Sequence, residues 1–133
     1  MADPMKVQVV SAEDIIWSGE ATNIIAKTVS GDIGILAGHA PVLSVLVPGG
    51  VEIVCPDGKR EIVAVEGGFL SVNRGRVSIL SEYARMAREI SLSQAEHDLA
   101  EATAAVDAGD DSDEMRTRMI RATAQVRAAQ KAG

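Results

Sequence analysis

Aromatic residues are scarce in this chain of 133 residues: they make up 2% of it and number three, Trp17, Phe69 and Tyr83. A surface that stacks nucleobases needs exposed rings over a basic groove, and the formal net charge here is -6. The two facts together argue against a nucleic-acid-binding protein. Hydrophobic residues nevertheless make up 47% of the chain, so we expect a packed core built from Val, Ile, Leu and Ala.

Cysteine pairs, metal-binding motifs and long apolar runs are also missing. Cys55 is the single cysteine, which excludes an internal disulfide, and we interpret it as a small buried or half-buried apolar residue. His39 and His97 lie far apart with no Cys pair or H-E-x-x-H motif near them, so we predict no metal site. No run approaches the roughly 18 apolar residues of a membrane span. The N-terminal MADPMKVQVV has no signal character, so we expect membrane association only through a partner.

Up to about residue 85, apolar residues recur at a period of two, and Gly, Pro and Asn separate the segments. This pattern is typical of short strands joined by tight turns. Asp57-Gly58 favours a hairpin because both residues tolerate positive φ. The absence of helical periodicity between the strands predicts an antiparallel sandwich or flattened barrel. The predicted strands are Met5–Val9, Thr22–Val29, Ile33–Leu36, Val42–Val47, Val51–Cys55, Arg60–Val65, Phe69–Val72 and Val77–Leu80.

After residue 85, alanine replaces the β-branched residues and the apolar period becomes helical. Ser91 with Gln94, and Ser93 with Glu96, both fit a capping box at the start of a first helix, and Gly109 suits its end. The acidic residues after Gly109 favour the start of a second helix. Residues 91–133 therefore predict an antiparallel helical hairpin. Its apolar seams are Leu92, Ala95, Leu99, Ala102 and Val106 on the first helix, and Met115, Met119, Ala122, Val126 and Ala129 on the second.

The predicted hairpin has little apolar area to bury, because alanine dominates both seams. At roughly 25 cal/mol per Å², we expect that area barely to offset the entropy lost on ordering. The hairpin must therefore be stabilised by packing against the β part or against a partner. Such marginal stability is typical of a conformational switch. We divide the chain into a β-sandwich domain, residues 1–85, and a regulatory hairpin, residues 86–133, which is an α+β fold.

His39 is the first candidate for chemistry. A catalytic histidine needs a nucleophile or a carboxylate within reach, and the nearby acid is Asp32, while Ser44 lies in a predicted strand rather than a strained elbow. We interpret His39 as a turn residue that bonds the backbone or faces a partner, and we predict no catalytic residue. A small hydrolase using His39 with Asp32, and a free-standing sandwich that binds a small ligand, stay open as alternatives.

The second predicted helix has a basic face. From composition alone, a solvated face paired with neighbouring acids is favoured. The alternative is an acidic partner surface that binds the guanidinium forks. The residues of interest are Arg116, Arg121 and Arg127.

Three sequence blocks, VSAED…WSGEA, GDIGILAGHAPVL and GGFLSV, occur in this order before an Ala-rich helical pair. With them, the chain resembles the family of ε subunits of the bacterial F-type ATP synthase over nearly its whole length. The resemblance implies a β-sandwich of about ten antiparallel strands followed by a C-terminal antiparallel two-helix hairpin, without catalytic activity or a cofactor of its own. It implies a central-stalk subunit at the cytoplasmic face of the bacterial plasma membrane. There the subunit couples c-ring rotation to ATP synthesis through γ, and its helices inhibit ATP hydrolysis.

The resemblance also assigns partners to residues of this chain. A turn that faces the c-subunit ring corresponds to Gly31, Asp32, Ile33 and Gly34. A segment associated with the γ subunit corresponds to His39, Ala40 and Pro41. The face that meets an acidic loop of the α and β subunits when the hairpin extends corresponds to Arg116, Arg121 and Arg127. For these arginines the resemblance reverses the preference for a solvated face.

One motif departs from the family pattern. Some family members bind ATP through Ile or Leu, Asp, two variable residues, Arg and Ala, and the corresponding segment here is ISLSQA, from Ile90 to Ala95. Ser91 replaces the Asp, and Gln94 replaces the Arg that would hold phosphate. We therefore predict weak or no ATP binding at this degenerate motif.

Overall fold

A computed structural model describes residues 3–133, which contain ten strands, a short 3₁₀ helix at Ala87–Glu89 and two α-helices. The strands are β1 (Met5–Val10), β2 (Ile15–Ala21), β3 (Asn23–Thr28), β4 (Gly31–Leu36), β5 (Val42–Leu46), β6 (Gly49–Val54), β7 (Arg60–Val65), β8 (Gly68–Asn73), β9 (Arg76–Leu80) and β10 (Ala84–Met86). The helices are α1 (Leu92–Asp107) and α2 (Asp113–Ala132).

The strands form one continuous path that folds over into a sandwich. Its order is β10-β7-β6-β3-β5-β8-β9-β1-β2, with β4 attached to β3, and β2 also contacts β10, so the path nearly closes. Inward-facing aliphatic side chains fill the space between the layers, including Val9, Ile24, Ile53 and Ile79, all with 0% exposure. The predicted β-sandwich with a helical hairpin is confirmed.

One strand pairing differs from the predicted antiparallel arrangement. β1 runs parallel to β9, from Lys6 opposite Arg76 to Val10 opposite Leu80. Parallel neighbours cannot be joined by a hairpin and need a long connection, and here β2 to β8 lie between them in the chain. Local turn signals therefore carry no information about this pairing.

The alternation predicts neither β2 nor β10. β2 contains Gly19 and has an irregular register, because Val10 lies opposite Ile15 while Val9 lies opposite Trp17. β10 has three residues and ends at Met86, so the boundary placed after residue 85 falls inside this strand. Both strands take their place from the neighbours with which they pair, β1 and β7 respectively.

One short turn and two helix starts follow local sequence chemistry. Arg74 and Gly75, with φ of 51° and 77°, form the two-residue turn between β8 and β9. Ser91 caps α1 by accepting from the Gln94 amide at 3.3 Å, but the Gln94 side chain bonds Asp98 rather than completing the predicted capping box. Ser112 caps α2 in the same way.

The helix α2 lies between α1 and the outer face of β6 and β7. It therefore needs a second apolar face that the predicted seam does not include, with Ala124 and Ala128 both at 0% exposure. Ala128 packs in a small outer cluster with Ile62, Ala64 and Ala87. The predicted α1 seam is narrower than expected, since Leu92 is 36% exposed. The reason is that α1 packs mainly on α2 rather than on the sheet.

Candidate interaction surfaces

Asp32 lies at the start of β4, next to a tight turn. The Thr28 hydroxyl donates to the Gly31 carbonyl at 2.7 Å and accepts from the Ser30 amide at 3.1 Å. Gly31 has a φ of 116°, a conformation that favours glycine. Asp32 is exposed and lies across from Lys27, so the turn presents a carboxylate to solvent.

The Asp32 turn borders the folded hairpin. A cleft of about 330 Å³ lies between the sandwich and the C-terminal half of α2, and Lys27, Asp32, Arg127 and Lys131 help to line it. Arg127 Nη1 donates to the Pro48 carbonyl at 2.8 Å. Asp32, predicted for the ring contact, and Arg127, predicted for the α/β contact, therefore line the same cleft in this structure.

His39 is half-buried in the loop after β4. Its Nδ1 is 2.6 Å from the Ala40 carbonyl, and its amide donates to the Leu36 carbonyl at 3.0 Å. Asp32 and Leu36 are four strand steps apart, roughly 13 Å at about 3.3 Å per step. Within residues 3–133 no hydrogen bond joins Asp32 to the His39 ring, so the structure gives no support to the pair assigned to the hydrolase alternative. The ring bonds the backbone, as the turn interpretation expects.

An exposed apolar row crosses the outer face of β5, β8 and β9. Val45 lies opposite Phe69, and Phe69 lies opposite Leu80. The exposed fractions are 44% for Val45, 48% for Phe69 and 46% for Leu80, and Leu43 on the same face is 68% exposed. Contiguous exposed apolar groups on a sheet are characteristic of an interaction surface. We refer to Leu43, Val45, Phe69 and Leu80 as the apolar row.

Sequence reasoning missed the apolar row, although a signal for it is present. Val42–Val47 reads VLSVLV, which has apolar residues on both faces of a strand rather than strict alternation. A strand that is apolar on both faces is covered on both sides. In this structure the inner face of β5 packs in the core through Leu46, while Leu43 and Val45 stay exposed.

The three arginines predicted for the α/β contact are in different situations. Arg121 Nε donates to Glu66 Oε2 at 2.9 Å, and Arg127 bonds Pro48. Arg116 Nε reaches only the Asp111 carbonyl, at 3.4 Å. Two of the three therefore hold the hairpin against the sandwich.

The residues of the degenerate nucleotide motif, Ile90–Ala95, pack in the fold or cap and stabilise α1. Ile90 packs beside the small outer cluster, Ser91 caps α1, and the Gln94 side chain donates to Asp98 at 2.9 Å. Ala95 is 1% exposed. These contacts leave no cation at the position where the family pattern has its Arg.

Other features of residues 3–133 bear on chemistry and membranes. No three His, Cys, Asp or Glu side chains in this range are grouped closely enough to hold a metal ion, and no helix in it is long and apolar enough to span a bilayer.

Cys55 is half-buried. Partial burial, together with the nearby Asp57 and Glu61 carboxylates, raises the pKa of its thiol, which makes it a poor nucleophile at neutral pH.

Comparison with known proteins identifies the family. A family model described as the beta-sandwich domain of the ATP synthase Delta/Epsilon chain matches residues 4–87, more than half of the chain. The chain belongs to this family. A relative named ATP synthase epsilon chain from Streptomyces avermitilis is 45% identical over 81% of this chain and 87% of its own length. One of the same name from Cutibacterium acnes is 47% identical over 71% of this chain and 66% of its own length.

Solved structures extend the likeness of this Delta/Epsilon-family chain to its helices. A chain in the Euglena gracilis mitochondrial ATP synthase, solved as OSCP/F1/c-ring, superposes with a TM-score of 0.76 at 25% identity, covering 97% of this chain and 81% of that one. A chain in the central stalk/c-ring structure of the Tetrahymena thermophila mitochondrial ATP synthase superposes with a TM-score of 0.58 at 18% identity, covering 98% and 97%. The family resemblance read from the sequence is confirmed.

Proposed function

We propose that this chain is the ε-type, non-catalytic subunit of the central stalk of an F-type ATP synthase. The observation that carries the proposal is its alignment, at 45% identity over 81% of the chain, with a relative named ATP synthase epsilon chain. In this role it couples rotation of the c ring to ATP synthesis through γ, and its hairpin (residues 86–133) restrains ATP hydrolysis by the α and β subunits. It acts as a peripheral protein at the cytoplasmic face of a bacterial plasma membrane.

The apolar row supports a permanent contact with γ. It lies on β5, β8 and β9, whereas α2 covers β6 and β7, so the row stays free when the hairpin is folded. His39, Ala40 and Pro41 lead directly into β5, which places the segment predicted for γ next to the row. Burying exposed Phe, Leu and Val side chains contributes about 1.5–3 kcal/mol each when burial is complete, enough to hold a subunit that must not dissociate during rotation.

A charge placed in the apolar row tests this contact. Phe69→Glu puts a carboxylate where γ would exclude water, and an unpaired buried charge is costly. We expect at least about 30-fold weaker binding to γ, equivalent to about 2 kcal/mol, measured by co-purification of γ, α and β with the tagged chain. Ile120→Glu is the control, because Ile120 is 39% exposed but lies on α2. If the wild-type chain brings down no subunit, a free-standing ligand-binding sandwich is favoured instead.

The ring contact is assigned to Gly31, Asp32, Ile33 and Gly34 by position and exposure. Asp32 points its carboxylate into solvent near the start of β4, and His39 lies beyond the other end of that strand. This separation lets one strand face two different partners.

Cross-linking in the assembled complex checks which partner each end of β4 faces. Because Cys55 is the single cysteine, a Cys55→Ser chain can carry one new cysteine, at Asp32 or at His39. We expect the cysteine at position 32 to couple to a c-subunit loop and the one at position 39 to couple to γ, each detected by subunit-specific mass spectrometry. A cysteine at Asp57, in the exposed β6–β7 turn, which is assigned to no partner, is the control and should couple to neither. Coupling of both test positions to the same subunit would contradict the assignment.

A further inference from the structure

Four side chains connect α2 to the sandwich at one point, near the end of β7 and the start of β10. Arg121 Nε donates to Glu66 Oε2 at 2.9 Å, and the Arg121 guanidinium carbon lies 5.3 Å from the centre of the Tyr83 ring. Gln125 Nε2 donates to the Tyr83 hydroxyl at 2.6 Å. Arg121 and Gln125 are four residues apart, so they lie on the same face of the helix. We refer to Glu66, Tyr83, Arg121 and Gln125 as the latch.

The sandwich side of the latch is suited to an arginine. The Glu66 side chain is 17% exposed, so its carboxylate is partly desolvated, while Arg121 is 44% exposed. An aromatic face under a guanidinium adds a cation–π attraction. A cleft of about 300 Å³ beside Tyr83 and Arg121 is lined in part by the acidic residues Glu13, Asp14 and Glu82. The local field therefore favours a cation at this point.

We propose that Glu66 and Tyr83 form a binding site for Arg121 that holds the hairpin folded without nucleotide. The site supplies polar contacts where the hairpin itself buries mostly alanine, including Ala124 and Ala128. Those side chains are short, and their apolar contact with the sheet is correspondingly small. The degenerate motif at Ile90–Ala95 lacks the Arg of the nucleotide-binding pattern, so in this chain the latch acts without phosphate contacts at that motif.

The latch also regulates the inhibitory contact, and this second part rests on the proposed function. Arg121 is one of the residues assigned to an acidic surface of the α and β subunits. A guanidinium that is engaged with Glu66 over the Tyr83 ring cannot at the same time bind that surface. Latch and inhibitory contact therefore compete for Arg121, and strengthening one weakens the other.

Amide hydrogen exchange of the isolated full chain tests the latch itself. We expect Glu66→Ala and Arg121→Ala each to speed exchange in α2 about fivefold, the effect of losing one partly exposed ion pair, without a change in β1, β8 and β9. The double variant should exchange no faster than Arg121→Ala, because that variant already removes the ion pair with Glu66. One matched control is Glu20→Ala, on an exposed part of β2. The other is Arg118→Ala on α2, because the Arg118 side chain makes no hydrogen bond or ion pair within residues 3–133. Unchanged α2 exchange, or additive effects in the double variant, overturns the latch.

Varying the ionic strength tests the latch in the wild-type chain, which avoids any variant that destabilises the whole sandwich. The Debye length falls from about 30 Å at 0.01 M salt to about 3 Å at 1 M. If the latch holds the hairpin, α2 exchange in the wild-type chain rises over this range while exchange in the core strands does not. Exchange in α2 that does not respond to salt overturns the latch.

ATP hydrolysis by the assembled soluble complex tests the competition. Glu66→Ala frees Arg121 and should strengthen inhibition, Arg121→Ala should weaken it, and the double variant should behave like Arg121→Ala. Effects of the same sign for the two single variants overturn the competition. Failure of the chain to assemble with γ would instead count against the proposed function, and the exchange results on the isolated chain would still decide the latch.

Discussion

At the scale of single residues, glycine decides how closely the hairpin lies on the sheet. A Cβ built on Gly50 would lie 2.9 Å from Ala128 Cα and 3.1 Å from Ile62 Cγ2. Helix backbone and strand backbone meet here without an intervening side chain. A side chain at position 50 must therefore move α2 as a whole, because the obstructing atom is in the helix backbone and cannot rotate away.

Gly50→Ala should loosen the hairpin. We expect α2 docking to weaken by about 1–3 kcal/mol, the usual cost of overpacking, so the helical circular dichroism signal should melt at a lower temperature than the sandwich. Gly34→Ala is the matched control, because no atom lies within 4 Å of its built Cβ and its φ is not positive. Equal helical melting temperatures in the two variants would contradict this account of the packing.

At the scale of elements, the start of α1 is set by its own sequence, whereas the buried face of α2 is set by the sheet beneath it. The start of α1 follows local chemistry, since Ser91 accepts from the Gln94 amide. The face of α2 that meets the sheet depends on β6 and β7, whose outer residues Ile62 and Ala64 make that contact apolar. In α2 alone, the small side chains of Ala124 and Ala128 do not indicate which side is covered.

The cap at the start of α1 predicts the nucleotide behaviour of the isolated chain. Ser91 and Gln94 are neutral and engaged within the helix, so no side chain there can pair with phosphate charge. We expect calorimetric titration with ATP to give weak or no binding. The double variant Ser91→Asp with Gln94→Arg restores the family pattern and should bind more tightly than the wild-type chain. A micromolar dissociation constant for the unmodified chain would contradict the prediction.

At the scale of the whole molecule, the sandwich has its own core and the hairpin does not. The main cluster of buried apolar residues extends from Met5 to Met86 and contains no residue of α1 or α2. The smaller cluster that holds the hairpin depends on Ile62 and Ala64 from the sheet. The folded hairpin is thus an appendage whose position depends on the sandwich, whereas the sandwich does not require the hairpin.

Removal of residues 91–133 should separate the two roles of the protein. The shortened chain retains the main core and the apolar row, so we expect it to fold and to co-purify with γ. ATP hydrolysis by the soluble complex should rise relative to the complex with the full chain, because the arginines proposed for the inhibitory contact are gone. Hydrolysis at the full-chain level would count against inhibition while leaving the coupling role in place.

Several features follow from local sequence alone. Alternating apolar and polar residues in segments such as Met5–Val9 predict strands. Asp57-Gly58 predicts the turn between β6 and β7, and the helical period after residue 91 predicts the hairpin. These predictions are accurate because the conformation of the backbone, and which side chains alternate between the two faces of an element, depend on residues only a few positions apart. The family resemblance adds the residues assigned to each partner, and those assignments stay predictions.

Local sequence patterns specify eight of the ten strands, the hairpin and the absence of a nucleotide-binding Arg. Only the tertiary structure decided that β1 pairs in parallel with β9, that the apolar row is continuous across three strands, and that Arg121 rests on Glu66 and Tyr83. Each of these brings together residues far apart in the chain, such as positions 66 and 121. Their proximity depends on how the whole sheet folds over and on which face α2 covers, and no local pattern encodes that geometry.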